Sequence, residues 1–297
     1  MAVLNTGLAK VLDSAVWYGG RGVFGGGDGG TGTIEYIAID TTSNTTSFGN
    51  LSSSRSRLGG CSNGSRGLFA GGNVSDVIDY ITVSSTSNAT DFGNLSVARR
   101  MAGAASDGTY GIFGGGWASG YKDEIDYVTI ETTGNASDFG DLTAARRGGG
   151  GCSDGTYIVW GGGVLADGNE TNVLDYVTAA STGNASDFGD LTAGRGSNAS
   201  LSSTTRGVWA GGGDTAGNFY DTIDYVTIAS TGNATDFGDL LATVNENAGC
   251  SDATRGVFVG GKSRNVIEYI TIASTGNATD FGDLAAGKKH MGALAGD

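Results

Sequence analysis

The chain has 297 residues, 56 of them glycine and none proline, and its 38% hydrophobic content is supplied in large part by alanine and valine. The formal charge of −14, from 17 basic and 31 acidic residues, argues against a phosphate-binding surface and so against nucleic acid as a partner. No run approaches the roughly 20 apolar residues of a membrane-spanning helix, and the abundance of Gly, Ser, Thr, Asn and Asp between short β-branched and aromatic runs excludes thick helical packing in favour of many short strands.

Residues 1–19 read as an N-terminal arm. Val3, Leu4, Leu8, Val11, Leu12 and Val16 are spaced for one face of a short helix. The segment has neither a basic leader nor a continuous apolar stretch, so it does not read as a signal peptide. An attachment arm and a frayed end are both compatible with it.

Residues 20–297 are built from a repeat, which dominates any reading of such a chain. Tyr36, Tyr80, Tyr127, Tyr176, Tyr225 and Tyr269 each follow an acid, namely Glu35, Asp79, Asp126, Asp175, Asp224 or Glu268. The tyrosines are separated by 44, 47, 49, 49 and 44 residues, and Phe48, Phe92, Phe139, Phe188, Phe237 and Phe281 follow them at a constant 12. The repeats run approximately 21–65, 66–109, 110–156, 157–205, 206–254 and 255–297.

Unit one opens directly on Arg21-Gly22-Val23-Phe24, which has the character of a second strand. Unit three shows the full plan: a small apolar run Met101–Ala105, then Tyr110–Phe113 into Gly114-Gly115-Gly116, then Ile125–Ile130 alternating as a half-buried strand, then Asp138–Leu142. Ser106-Asp107-Gly108 and Thr133-Gly134-Asn135 supply the turns. Four antiparallel strands in each of six units are too thin to bury two faces alone. A closed ring of six blades solves this, with glycine and alanine where inner strands converge on the axis. Beyond Phe281 the last unit continues into residues 288–297, which align with 99–108 and form an inner strand without a blade of its own. That strand is expected to complete the first blade and latch the ring. A competing assignment gives this role to Ser14–Tyr18.

The double glycines Gly71-Gly72, Gly115-Gly116, Gly212-Gly213 and Gly260-Gly261, the acid–Tyr pair, the aromatic a dozen residues on and the arginines Arg55, Arg99, Arg146 and Arg195 that open the next unit resemble the kelch repeat, with Phe in place of the usual Trp. The period suits kelch, at about 50 residues, better than WD40 at about 40–45. The fold expected is therefore an all-β, six-bladed kelch-type β-propeller. The phrase Gly-Asn-Ala-Thr/Ser-Asp-Phe-Gly-Asp-Leu, starting at Gly134, Gly183, Gly232 and Gly276, is similar to kelch-like repeat proteins of tailed bacteriophages. That resemblance implies a non-enzymatic virion component, a tail or fibre protein or a capsid-surface decoration, that contacts other virion proteins or host glycans. The alternative is a secreted or cell-surface bacterial carbohydrate-binding propeller.

Catalytic chemistry has few candidates. His290 is the one histidine and stands where Met101 stands in another unit, so it reads as a packing or strand-end residue. A catalytic triad or zinc site would have to depend on it alone. The copper oxidases among kelch propellers need more histidines than this chain has, and no cofactor or metal is expected. Cys61, Cys152 and Cys250 share one repeat position with Ala105, Leu201 and Leu294 and read as buried free thiols. Asn88, Asn135, Asn184, Asn233 and Asn277 satisfy a glycosylation pattern but read as turn residues. The glycine runs are followed by no Gly-Lys-Ser/Thr and read as close backbone approaches, not phosphate loops. The recurring acid reads as scaffold, capping amides or pairing with a nearby arginine.

Function is expected where units differ, between the second and third strands. Trp117, Tyr121 and Lys122 in unit three, Phe219 and Tyr220 in unit five and Arg264 in unit six share one face with the links that begin at Arg55, Arg99, Arg146, Arg195 and Lys288, a series broken by Val244. Aromatic faces beside guanidinium donors suit sugars and acidic groups. These residues form the expected binding face.

Overall fold

The structure, a computed structural model, describes residues 19–28 and 31–296. The expectations for the arm, and for Ser14–Tyr18 as an inner strand, lie outside the described residues. The described chain is all-β and forms six four-stranded antiparallel sheets arranged as the blades of a propeller. Blade 2 shows the plan from the axis outward: an inner strand Gly59–Ser62, a second Arg66–Ala70, a third Ser75–Thr82 and an outer strand Thr90–Arg99. In blade 1 the inner strand is Gly292–Gly296, paired to Arg21–Gly25 with Val23 opposite Leu294. The C-terminal strand therefore closes the ring.

Packing between blades explains the alternation of large and small residues. A single aromatic on each second strand (Phe24, Phe69, Phe113, Trp160, Trp209 and Phe258) is fully buried. Each sits over a glycine or other small residue of the preceding blade. A Cβ on Gly114 would lie 2.8 Å from the Trp160 ring. The indole N–H of Trp160 reaches back to the carbonyl of Gly103 at 3.1 Å, and that of Trp209 reaches the carbonyl of Gly150 at 2.9 Å. Large side chains thus enter space that glycine leaves open, and buried indoles keep a hydrogen bond.

The third strands are not half-buried, as alternation suggested. Ile125 and the adjacent Asp126 are both buried, because each blade is covered on both faces by its neighbours. The register of the third and outer strands slips between these two positions in every blade, for example between Ile125 and Asp126, so that Phe139 is the unpaired extra residue of a β-bulge. A bulge re-aims a side chain. Here the recurring Phe enters the blade interface, where it meets the recurring Tyr edge-on, at 5.7 Å between ring centroids for Tyr127 and Phe139.

The outer rim carries a second ring of contacts. Asn44, Asn88, Asn135, Asn184, Asn233 and Asn277 each accept a backbone N–H from the outer strand of the preceding blade at 3.0–3.2 Å. The glycosylation-like triplets therefore carry an inter-blade hydrogen bond in addition to their turn chemistry. Cys61, Cys152 and Cys250 are free and buried. Burial pushes the Cys61 thiol up to about 12 and the other two upward as well.

Candidate functional site

Strand direction places the hairpins between second and third strands on the same end of the ring as the links from each outer strand to the next inner strand. The backbone of those links is fixed by two features. Glycine ends each second strand with a positive φ, as at Gly162 (φ 70°), where a Cβ would lie 2.5 Å from the Arg195 carbonyl. Two residues beyond each buried link residue, Arg57, Met101, Gly148, Ser197, Glu246 and His290 all adopt left-handed φ values between 57° and 71°. Their amides and carbonyls bond head to tail around the axis at 2.7–2.9 Å, with His290 donating to Glu246 and Arg57 to His290. This closed circle of six backbone hydrogen bonds rims a mouth of about 90 Å³, above an axial cavity of about 200 Å³ lined by the inner strands.

The sequence placed Arg55, Arg99, Arg146, Arg195 and Lys288 on the contact face. The structure places all five beneath it, buried to 7% exposure or less. Each pairs with the recurring acid of the next blade: Arg55 with Asp79 at 2.6 Å, Arg99 with Asp126 at 3.0 Å, Arg146 with Asp175 and Arg195 with Asp224 at 2.9 Å, and Lys288 with Glu35 at 3.0 Å. Arg55 also donates to the carbonyls of Gly71 and Val77 at 2.6 Å. Buried charge is tolerable only when paired and hydrogen-bonded, and here both conditions are met between blades. As the structure stands these five cations face no solvent. Burial lowers the affinity of Arg99, Arg146 and Arg195 for their protons, opposed by the adjoining aspartates. At the sixth link stands Val244, and among the described residues no cation lies within ion-pair reach of Glu268, whose carboxyl accepts the Leu241 amide at 2.6 Å. Burial raises Glu268, with that hydrogen bond and the charge of Arg264 opposing it.

The hairpin residues lie above this layer and are half-buried: Trp117, Tyr121, Lys122, Phe219, Tyr220 and Arg264. Trp117 and Tyr121 stand opposite each other across the blade 3 hairpin. The Arg100 guanidinium lies 4.5 Å over the Trp117 ring and that of Arg147 lies 5.4 Å over Tyr121. Phe219 of blade 5 carries the Lys262 ammonium of blade 6 at 4.4 Å. Lys122 pairs with Glu124 at 2.9 Å, and the Tyr220 hydroxyl donates to Asp214 at 3.1 Å. The structure thus brings Trp117 together with Tyr121, and Phe219 next to Tyr220. The cations that accompany these rings are Arg100, Arg147 and Lys262, which sequence reasoning did not select. The signal was present in the doubled arginines Arg99-Arg100 and Arg146-Arg147. On extended backbone neighbouring side chains point to opposite sides, so one member of each pair is buried and the other surfaces.

His290 lies at the axial mouth. Its Nδ1 is 3.0 Å from Asp28 and its Nε2 is 2.9 Å from Glu246. Each ring nitrogen thus faces a carboxylate. Lys289 adds contacts of 2.8 Å to Glu246 and 3.7 Å to Asp28. Burial pushes both carboxyls upward, but hydrogen bonds with Ser56 and His290 at Asp28, hydrogen bonds with His290 and Lys289 at Glu246, and the surrounding positive charges outweigh it and hold both below the usual range. The cluster ties blades 6 and 1 and the C-terminal link together, and both ring nitrogens are engaged within it. Among the described residues no group of three or more His, Cys, Asp or Glu is arranged to hold a metal ion.

No protein-family model matches the chain, and no curated protein matches it either.

Proposed function

We propose that this six-bladed propeller is a non-enzymatic binding protein that uses the face formed by its inter-strand hairpins and links, and that it serves as a virion structural or host-attachment component contacting neighbouring proteins or host glycans. The observation that carries the binding reading is the row of half-buried aromatics on that face, Trp117, Tyr121 and Phe219, each carrying a cation 4.4–5.4 Å over its ring. Amphipathic rings with a polar neighbour are what recognition of a partner surface or a sugar face employs. Elsewhere the reactive side chains are engaged in the scaffold: His290 between two carboxylates, the three cysteines in the core, the buried arginines on acids. The virion setting rests on the wording of the repeat. A double variant Trp117→Ala with Tyr220→Ala is expected to keep the melting temperature within a few degrees and to weaken attachment at least about tenfold, as the loss of interface aromatics does. Attachment is read by binding to host cells, to a glycan array and to purified virion proteins. Attachment at wild-type strength would end the proposal.

A further inference from the structure

Three arginines on this face have an arrangement that scaffolding does not explain. The strand-two arginines Arg21, Arg66, Arg206 and Arg255 each donate to a carbonyl of the next blade at 2.7–3.0 Å. The first link arginines pair with acids. Arg100 and Arg147 do neither. Among the described residues no carboxylate lies within ion-pair distance of either, and the Nε of each is buried without an acceptor. Their guanidinium groups rest on Trp117 and Tyr121. Arg57 joins them around the mouth: its carbonyl accepts the amide of Met101, the residue after Arg100, and the Met101 carbonyl in turn accepts the amide of Gly148, the residue after Arg147. Arg57 has a single long ion pair, 3.8 Å to Asp28. Burial and the nearby charges of Arg57 and Arg147 pull Arg100 below the ordinary guanidinium value. In a chain of net charge −14, three like charges gathered on one sector of the axial face await a counter-charge.

We infer that Arg57, Arg100 and Arg147, with Trp117 and Tyr121 as ring platforms, form a binding site for an acidic saccharide, a sugar that carries a carboxylate. The inference rests on the binding face proposed above and names its ligand class. Planar guanidinium groups match a carboxylate with paired N–H donors, and the aromatic rings beneath Arg100 and Arg147 hold those groups in place. The overall negative charge disfavours densely charged polymers such as nucleic acid or heavily sulfated chains, whose remaining charges would meet the protein's own field. A short saccharide with few carboxylates keeps that cost small.

The test is titration calorimetry of the intact chain with a uronic acid trisaccharide at low ionic strength. Its carboxyl-reduced neutral counterpart, sodium sulfate and a short polyglutamate peptide are run alongside. Binding of the uronate, at least about tenfold stronger than any of the other three, is expected. Arg100→Gln with Arg147→Gln should weaken it by about tenfold or more, and Arg100→Lys with Arg147→Lys, which keeps charge but not the fork, should fall between. Added potassium chloride should weaken the wild-type complex, a readout that needs no variant. Equal binding of the neutral sugar, of sulfate or of polyglutamate overturns the inference, as does no uronate binding or binding insensitive to the Gln pair and to salt. Because Trp117→Ala with Tyr220→Ala tests the face itself, failure with uronate alongside loss of attachment in that variant overturns the ligand class and leaves the face standing.

Discussion

The acid before each tyrosine changes identity together with two other residues that are distant in sequence. Where the residue four beyond the recurring Phe is Ser52, Ser96, Thr143 or Thr192, the acid of the next blade is aspartate and the link cation is arginine. Where that residue is Leu241 or Ala285, the acid is Glu268 or Glu35 and the link residue is Val244 or Lys288. The amides of Thr143 and Thr192 reach an aspartate oxygen at 3.0–3.1 Å and their hydroxyls reach it at 2.7 Å. Without a hydroxyl, the longer glutamate reaches the Leu241 amide. Glu268 is the acid left without a cation, which makes it a defined liability. Burial raises it above its ordinary value of 4.5. The folded chain therefore holds this proton more tightly than the unfolded chain, and this group's contribution to stability is fully present below pH 4.5 and is lost as pH rises through the unfolded and then the folded value. Glu268→Gln keeps an acceptor for Leu241 and removes the charge. At pH 7 its urea midpoint should exceed that of the wild type, and the two should converge below about pH 4.5. A lower midpoint for the variant at pH 7 would show that the carboxylate is compensated after all.

Strands and turns fit together through glycines whose roles differ within one repeated phrase. Gly140, in the outer strand of blade 3, has φ 149°, and a Cβ there would lie 2.3 Å from the carbonyl of Gly183 in the next blade. Gly134, six residues earlier, has open space around it. Gly140→Ala is expected to cost about 2–4 kcal/mol from strain and blade separation, and Gly134→Ala no more than about 0.5 kcal/mol. Chemical denaturation of both decides it, and equal costs would remove the inter-blade contact as the cause. Much of this was legible beforehand. Tyr36 to Tyr269 and Phe48 to Phe281 keep step because each pair meets across one bulge, so the spacing reports a single packing unit. The surplus strand after Phe281 reported closure because it had no other partners. The depth of the arginines was not legible. Arg99 and Arg100 are adjacent and chemically identical, and only the covering of each blade on both faces makes one a buried ion-pair partner and the other a surface cation. The bulge that re-aims the Phe also leaves no mark on the residue pattern.

At the scale of the ring, the question is what keeps blade 1, assembled from both ends of the repeat region, from opening. Its inner strand is joined by backbone hydrogen bonds to Arg21–Gly25, and the links are joined by the closed circle of amides. Arg255 of blade 6 reaches across the seam to the Ile39 carbonyl at 2.8 Å, and Asn44 accepts the Asp283 amide at 3.0 Å. Each of these has counterparts at other blade boundaries. Among the contacts peculiar to the seam in the described residues are those of His290 and Lys289 with Asp28 and Glu246, so the seam is where closure should depend on pH. Both carboxyls sit below their ordinary values of 3.8 and 4.5. Their contribution is therefore fully present above about pH 4.5 and disappears as pH falls through the lower, folded values. His290→Gln removes the imidazole between them. It should cost about 1–3 kcal/mol at pH 7, and the difference from the wild type should shrink as pH falls from 4.5 through the lowered folded values, below which the carboxyls are protonated and the clasp is absent from each protein. Thermal melts across that range, with hydrogen exchange at Gly292–Gly296 as the local readout, test this. A difference that stays constant with pH would mean that the backbone circle and the strand pairing close the ring without help from the ion cluster.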